Sequence, residues 1–225
     1  MVRRPVTLHE VPVNIDISVV PDDVREFLAD ADRRIDAWMA EQARKKPLAF
    51  VPSDFEIVYS ALHDIAERHL APGRSLLEWG SGFGVIACMA TWLDFDPHGI
   101  EIHRDLVGQA EQLAEDHELP AQFHYGSFVP RDGEALTDAV PESHWLESGR
   151  PVYDDIGLSI DDFDVVYAYP WPGEEEVPSA IFEHYAQTDA LLVSYHGYEG
   201  LLVRRQGCGR RVKPHTPLRV ERRRR

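Results

Sequence analysis

The 225-residue sequence is poor in cysteine, with only Cys88 and Cys208. Two cysteines so far apart provide neither a disulfide framework nor a CxxC metal site. Eleven histidines are present, but none falls into HExxH or a similar metal-binding spacing. The sequence therefore predicts no metal site, and its cysteine usage favours the reducing cytoplasm.

Long apolar runs are also missing. No stretch approaches the roughly 18 apolar residues that read as a membrane span. Arg3 and Arg4 are not followed by the apolar segment of an export signal. We therefore expect neither membrane insertion nor export.

Basic side chains are scarce over most of the chain, whose net charge is -16. Residues 1–203 carry 13 Lys and Arg against 38 Asp and Glu, whereas residues 204–225 carry ten against one. An acidic body repels polyphosphate and attracts cationic partners. We expect nucleic acid to be excluded from the main surface, so that only the basic tail would contact RNA or an acidic partner. A solvated or self-neutralising tail is the alternative.

The N-terminal part contains three segments with a regular pattern of apolar residues: one predicted strand followed by two predicted helices. Apolar residues alternate over 11–20, which predicts a half-buried strand. Over 22–44 apolar residues recur at intervals of three and four positions, which predicts an amphipathic helix. A second helix is predicted to start at a capping box formed by Ser53 and Glu56.

The rest of the sequence alternates between strand and helix patterns. Strands are predicted at 75–79, 98–102, 121–125, 163–169 and 190–195, and helices at 84–93, 103–118 and 178–187. This order is typical of an α/β fold with a mainly parallel sheet. Residues 199–206 and 211–220 are predicted to add an antiparallel hairpin, although prolines weaken its second half.

Three segments are predicted along the chain: an N-terminal strand and helical extension (1–49), a catalytic domain (50–207) and a basic tail (208–225). Within the domain, residues 129–162 form a long acidic insertion that is rich in turn formers. Such an insertion favours a lid or substrate loop, with a plain surface excursion as the alternative.

Three glycines, Gly80, Gly82 and Gly84, directly follow the first strand of that domain. In open α/β sheets, ligands bind at the carboxyl ends of the strands, where this turn lies. Without Cβ atoms, the turn can adopt positive φ and let a ligand approach the backbone. A dinucleotide fingerprint needs a glycine at position 85, which is Val85, so an NAD(P)-dependent oxidoreductase is a weaker alternative.

An acidic residue precedes the glycines in "EWGSGFG", and another, Glu101, closes the next strand in "HGIEI". This combination resembles the class I S-adenosylmethionine-dependent methyltransferases over about residues 50–200. The resemblance implies a Rossmann-like methyltransferase sheet with S-adenosyl-L-methionine as cofactor, the glycines cradling its methionyl part. By the same resemblance, Glu78 helps to hold the amino end of the cofactor and Glu101 accepts hydrogen bonds from both ribose hydroxyls. A single carboxylate can accept two such donors side by side.

Further cofactor-binding residues follow from this resemblance. They are Ile102, next to Glu101, and Ser127 and Phe128 of "HYGSF", which aligns with the adenine-contacting region. Ser127 stands where an Asp is common in the family. The segment "AFVPSDFEIV" is also similar to one that lies over the cofactor in small protein-lysine methyltransferases, which implies a cofactor contact for Ser53.

The loop that follows the fourth strand borders the transferable methyl group in this family. Here it reads "YPWPGEEE", without the Asn/Asp-Pro-Pro-aromatic sequence typical of enzymes that methylate adenine or glutamine amides. A nucleic-acid base is therefore disfavoured as acceptor. Tyr169 and Trp171 instead predict an aromatic wall around a methylammonium or lysine group, with Glu174–Glu176 steering the cation. The alternative is that Tyr167 and Tyr169 belong to the core and the glutamates to a solvated rim.

Tyr169, Trp171 and His196 are the predicted catalytic residues, and Tyr169, Tyr195 and His196 are the candidates for orienting a lysine. The predicted function is transfer of a methyl group from S-adenosyl-L-methionine to an amine of a protein or a small molecule, with a protein lysine as one candidate. A non-catalytic binding module that keeps the fold is a further alternative.

Overall fold

A computed structural model gives the structure of residues 8–43, 50–133, 136 and 150–207. In these ranges the strands are β1 (Leu8–Glu10), β2 (Ser75–Trp79), β3 (Asp96–Glu101), β4 (Gln122–Tyr125), β5 (Val165–Ala168), β6 (Leu191–Tyr195) and β7 (Leu201–Gln206). The helices are α1 (Asp22–Gln42), α2 (Phe55–Glu67), α3 (Val85–Ala90), α4 (Arg104–Asp116), α5 (Tyr153–Ile156) and α6 (Glu176–Tyr185). Within the described ranges, no helix is both long and apolar enough to cross a bilayer.

The strands form one sheet in the order β1-β7-β6-β5-β2-β3-β4. The five strands from β2 to β6 are parallel, whereas β7 is antiparallel to β6 and β1 is antiparallel to β7. The chain passes from β2 to β3 on one side and later to β5 on the other, so the order reverses at β2. The predicted fold class is confirmed in its architecture: an α/β fold with a mainly parallel Rossmann-like sheet, an antiparallel C-terminal strand and N-terminal helices.

Successive residues of β2 point into two apolar layers on opposite faces of the sheet. Leu76 packs in the layer that contains the buried sides of α1, α2 and α3. Leu77 and Trp79 pack in the layer that contains α6 and the segment before β5. Burial on both faces explains why the parallel strands are apolar at successive positions.

Residues 11–20 do not form the strand that their alternation predicted. The amide of Asn14 donates to Asp64 Oδ2 at 3.1 Å, and the amide of Asp16 donates to Ser60 Oγ at 2.7 Å. Because side chains of α2 satisfy these amides, the segment after Val11 lies along that helix, while the amide of Val11 itself still donates to the carbonyl of Val203 in β7 at 2.8 Å. The N-terminal strand is β1, just before this segment.

The predicted capping box of Ser53 and Glu56 is also wrong. Asp54 is the N-cap of α2, and its Oδ1 accepts a hydrogen bond from the amide of Ile57 at 3.2 Å. The Ser53 Oγ instead lies 2.6 Å from the hydroxyl of Tyr167. This contact ties the segment before α2 to the buried strand β5.

The segments predicted at 1–49, 50–207 and 208–225 stay a prediction. The third lies outside the described residues, and so do Cys208, the proposed strand at 211–220 and part of the 129–162 insertion. The position next to β7 is occupied by β1, where Leu8 faces Gln206.

A histidine pair lies where β3 and β4 adjoin. His98 Nδ1 and His124 Nε2 are 2.9 Å apart, and the rings stack with centroids 5.2 Å apart. Burial lowers the pKa of both imidazoles, and that of His124 falls to about 4, with the neighbouring His98 contributing. The folded protein therefore keeps this pair neutral in a pH range where the unfolded chain takes up protons.

We expect this pair to make stability depend on pH. As pH falls below about 6.5, the unfolded imidazoles bind protons before the folded ones, so stability is lost down to about pH 4. Between about pH 7 and pH 4, the wild type should lose about 2 kcal/mol more unfolding free energy than His124→Gln. Urea unfolding over a pH series measures this, with His184→Gln on α6 as control. Equal pH dependence in wild type and His124→Gln would contradict it.

Candidate functional site

A cleft of about 940 Å³ opens at the carboxyl ends of β2, β3 and β5, where the strand order reverses. Open α/β sheets bind their ligands at this place. Of the twelve residues predicted from the sequence, ten line the cleft: Ser53, Glu78, Gly80, Glu101, Ile102, Ser127, Phe128, Tyr169, Trp171 and His196. The structure therefore brings together residues from segments that lie more than 140 positions apart.

The three glycines all have positive φ, but their surroundings differ. A Cβ on Gly80 would have no atom within 4 Å, and this residue lines the cleft. A Cβ on Gly82 would collide with the ring of Phe50, and one on Gly84 with the ring of Phe123. Neither Gly82 nor Gly84 lines the cleft, so the backbone is open to a ligand at Gly80, while the other two glycines make room for aromatic rings.

Glu101 lies at the end of β3 and is 6% exposed. Its Oε2 accepts a hydrogen bond from the amide of Gly82 at 2.9 Å, and its Oε1 accepts one from the amide of His103 at 2.8 Å. A carboxylate oxygen has two acceptor sites, so each oxygen keeps one for a ligand. The carboxylate is thus held in a fixed orientation with capacity for two neighbouring donors.

Glu78, at the other acidic position, is 4% exposed. Its Oε2 accepts a hydrogen bond from the amide of Ala87 in α3 at 2.9 Å. Burial raises the pKa of this carboxyl well above its usual value, and the charge of Glu101 adds to the rise. A cationic group placed beside Glu78 would favour the ionised form, because a buried carboxylate needs a partner.

One wall of the cleft is flat and aromatic. The ring of Phe128 stacks on the indole of Trp79, with centroids 5.0 Å apart and planes 15° apart. The indole Nε1–H donates to the Tyr153 hydroxyl at 3.0 Å, which fixes its orientation. Ser127 is 5% exposed, and its Oγ accepts a hydrogen bond from the amide of Val129 at 3.2 Å. The Ser127 hydroxyl therefore supports its own loop.

The opposite end of the cleft carries Tyr169 and Trp171. Tyr169 packs edge-on against Tyr195, with ring centroids 4.9 Å apart. Burial raises the pKa of the Tyr169 phenol, so this group stays a hydrogen-bond donor. Tyr167, by contrast, is 2% exposed and belongs to the core. The alternative reading of the two tyrosines as core thus describes Tyr167, whereas Tyr169 lines the cleft.

Carboxylates surround this end of the cleft. Glu174, Glu175 and Glu199 line it, and Glu174 is 4% exposed. An outer groove adjoins the cleft and shares His196, Glu175 and Glu199 with it. The remaining charged residues of this groove are Glu10, Glu176, Glu183 and Arg204. Acidic residues therefore outnumber basic ones at this end of the cleft and in the adjoining groove.

Sequence reasoning missed Trp79, Glu199 and Glu10. Glu199 follows the end of β6 in "SYHGYEG", so the rule that strand ends meet at one edge was enough to find it. Glu10 has no such signal, because it reaches the groove through the pairing of β1 with β7. Among the described residues, no group of three or more His, Cys, Asp or Glu side chains is arranged to hold a metal ion.

Comparisons with known proteins give matches among solved structures only. A scan against protein-family models finds no match, and a search of curated proteins finds none. An RNA methyltransferase from Salinibacter ruber in complex with S-adenosyl-L-homocysteine matches with 20% identity over 74% of this chain and 98% of that chain, with a TM-score of 0.49.

Two further matches cover less of the other protein. A Pyrococcus abyssi tRNA (uracil-54, C5)-methyltransferase in complex with S-adenosyl-L-homocysteine has 12% identity over 70% of this chain and 40% of that chain, with a TM-score of 0.41. PKMT2 from Rickettsia typhi in complex with AdoHcy has 12% identity over 65% of this chain and 26% of that chain, with a TM-score of 0.41. At such values, neither activity nor acceptor transfers from these proteins to this chain.

We expect Gly84→Ala to lower the free energy of unfolding by about 3 kcal/mol. Its methyl group would meet the Phe123 ring and the Cβ of Ala110, and alanine disfavours the φ of +67° found there. Gly108→Ala is the control, because Gly108 is exposed on α4 with nothing within 4 Å of an added Cβ. That change should stabilise by up to about 1 kcal/mol. Urea midpoints measure both effects, and equal effects would contradict the assigned role of Gly84.

Proposed function

We propose that this protein transfers a methyl group from S-adenosyl-L-methionine to an amine, and that the acceptor is a cationic side chain, a protein lysine. The single observation that carries the proposal is the Glu101 carboxylate, held by two backbone amides at the base of a cleft that opens at a glycine turn. A vicinal diol supplies two adjacent donors, which match the two free acceptor sites of this carboxylate.

Residues around Glu101 fit the other parts of the cofactor. The wall formed by Phe128 and Trp79, with Ile102 beside it, offers an apolar surface for a nucleoside base. The open backbone at Gly80 and the buried carboxyl of Glu78 would hold the methionyl end, whose ammonium supplies the cation that Glu78 lacks. When bound, the cofactor supplies an electrophilic methyl group on a sulfonium.

The acceptor end of the cleft supports a cationic substrate. Tyr169 and Trp171 offer ring faces, and a cation over an aromatic ring gains about 0.5–2 kcal/mol. Glu175 and Glu199 add negative charge at the same end. The outer groove extends this negative surface, which favours the encounter with a cation.

The same charges disfavour a nucleic-acid acceptor at this opening. Binding of nucleic acid depends on basic side chains that neutralise phosphates. The groove residues include one arginine, and Arg204 Nη2 already donates to Ser179 Oγ at 2.8 Å. A basic protein segment that carries a lysine meets these requirements better than a polyanion.

Methyl transfer is an in-line displacement, which requires alignment and a nucleophile with a free lone pair. The Tyr169–Tyr195 contact and the Ser53–Tyr167 contact fix two sides of the cleft to the buried parts of β5 and β6. Rigid walls of this kind hold an acceptor without reorganisation during the reaction.

Cofactor binding is tested by calorimetric titration with S-adenosyl-L-methionine. We expect Glu101→Gln to raise Kd at least tenfold, because the amide can accept from fewer donors than the carboxylate and loses a charge-assisted bond. Glu111→Gln, an exposed change on α4, should leave Kd unchanged. Melting curves of each variant separate lost binding from lost folding. A folded Glu101→Gln protein that binds with unchanged Kd would remove the basis of the proposal.

The acceptor class is tested with labelled cofactor and two probes, poly-L-lysine and bulk tRNA. We expect label on poly-L-lysine only. Changing Glu183 and Glu199 together to Gln should raise KM for poly-L-lysine about three- to tenfold, with kcat little changed, and the effect should shrink in about 0.5 M salt. The pair Glu111→Gln and Glu115→Gln on the exposed side of α4 is the charge-matched control. Label on tRNA alone would refute the cationic acceptor.

A further inference from the structure

We infer that His196 takes the proton from the acceptor ammonium through Nδ1, and that Ser194 is a positioning residue that holds the imidazole in the required tautomer. This inference rests on the proposed function. The inference adds to that function a route by which the proton leaves the cleft. His196 suits this role because it lines both the cleft and the outer groove.

The inferred tautomer rests on the two contacts of the Ser194 hydroxyl. This residue is on β6 and is 1% exposed, and its Oγ lies 2.8 Å from His196 Nε2. The same hydroxyl is directed at the carbonyl of Leu202 on β7, 3.5 Å away. When the Ser194 O–H donates to that carbonyl, the Ser194 oxygen accepts a hydrogen bond from His196 Nε2–H. The lone pair of the neutral ring is then on Nδ1. The contact with Ser194 uses Nε2, so Nδ1 is the ring nitrogen left for a ligand.

The charges around His196 come from three segments. Burial and Arg204 on β7 lower the pKa of the imidazole, whereas Glu175 before α6 and Glu199 after β6 raise it, and the balance is a lowered pKa. The Tyr169 hydroxyl lies beside the adjacent Gly197. At neutral pH the ring is therefore neutral and able to accept a proton.

A free lysine ammonium has a pKa of about 10.4, so roughly one amine in 2,500 is neutral at pH 7. Inside the cleft, burial and the positive sulfonium lower that pKa, whereas the carboxylates of Glu174, Glu175 and Glu199 raise it. The ammonium gives a proton to His196 Nδ1, and the amine lone pair forms the bond to the methyl carbon. The C–S bond breaks with its electron pair going to sulfur, and the products are a methylammonium and S-adenosylhomocysteine. His196 then releases the proton to water in the outer groove.

The first test needs neither cofactor nor acceptor. Long-range ¹H–¹⁵N correlation spectra of the free, histidine-labelled protein report the tautomer and pKa of each imidazole. We expect His196 to carry its proton on Nε2 and to titrate below about 6.5. Ser194→Ala should weaken the preference for Nε2–H to that of a free histidine. A His196 ring that is protonated on Nδ1, or a preference unchanged in Ser194→Ala, would overturn the inference.

The second test uses the pH dependence of transfer to poly-L-lysine. His196→Gln keeps an amide donor for Ser194 but has no basic lone pair, and we expect it to lose about 100-fold in rate at pH 7. At about pH 9.5 a tenth of the free amine is already neutral, so the loss should shrink to less than fivefold. Ser194→Ala should lower the rate about tenfold at pH 7, and this loss should also shrink at about pH 9.5. His184→Gln, exposed on α6, should match the wild type at both values.

The outcomes separate the two proposals. If the wild type transfers no methyl group to poly-L-lysine, the proposed acceptor fails and the assignment of His196 fails with it. If the wild type is active but His196→Gln loses the same factor at both pH values, the proposed function stands and the proton-accepting role of His196 is refuted.

Discussion

The site depends on one buried carboxylate that joins two strand ends. Glu101 on β3 accepts one backbone amide from the turn after β2 and another from the start of α4. Without these bonds, the Gly82 amide would be an unsatisfied buried donor, which costs about 1–3 kcal/mol. The same contacts set the orientation in which the carboxylate faces the cleft. Structural and binding roles are therefore combined in a single side chain.

The sequence predicted the parallel sheet well, because runs of buried residues and the glycine turn leave local signals. The strand Ser75–Trp79 was predicted at its observed limits, and the glutamate at the end of β3 was found from its position. Prediction failed where a side chain hydrogen-bonds to the backbone of a residue that is far away in the sequence. Ser60 and Asp64 take the amides that would have made residues 11–20 a strand. No local pattern reports such partners.

The candidate site shows the same division. Periodicity placed Tyr169, Trp171 and His196 at strand ends, where the parallel topology brings them into one cleft. Their contacts follow from tertiary packing, which is why the Ser194 partner of His196 and the ring of Phe50 over Gly82 were not predicted. Motif spacing treats three glycines as equivalent, whereas two of them are required by aromatic neighbours. Which glycine faces a ligand depends on residues far away in the chain.

The pairing of Leu8 with Gln206 places the first and last described strands side by side at one edge of the sheet. During synthesis, β1 leaves the ribosome first but has no partner until β7 has been made. The edge of β6 is likewise uncovered until that moment. Pairing over nearly two hundred residues is a slow step in folding, because closing so long a loop costs entropy before any contact is gained. Closure of this edge is therefore expected to be a late event in the life of each newly made chain.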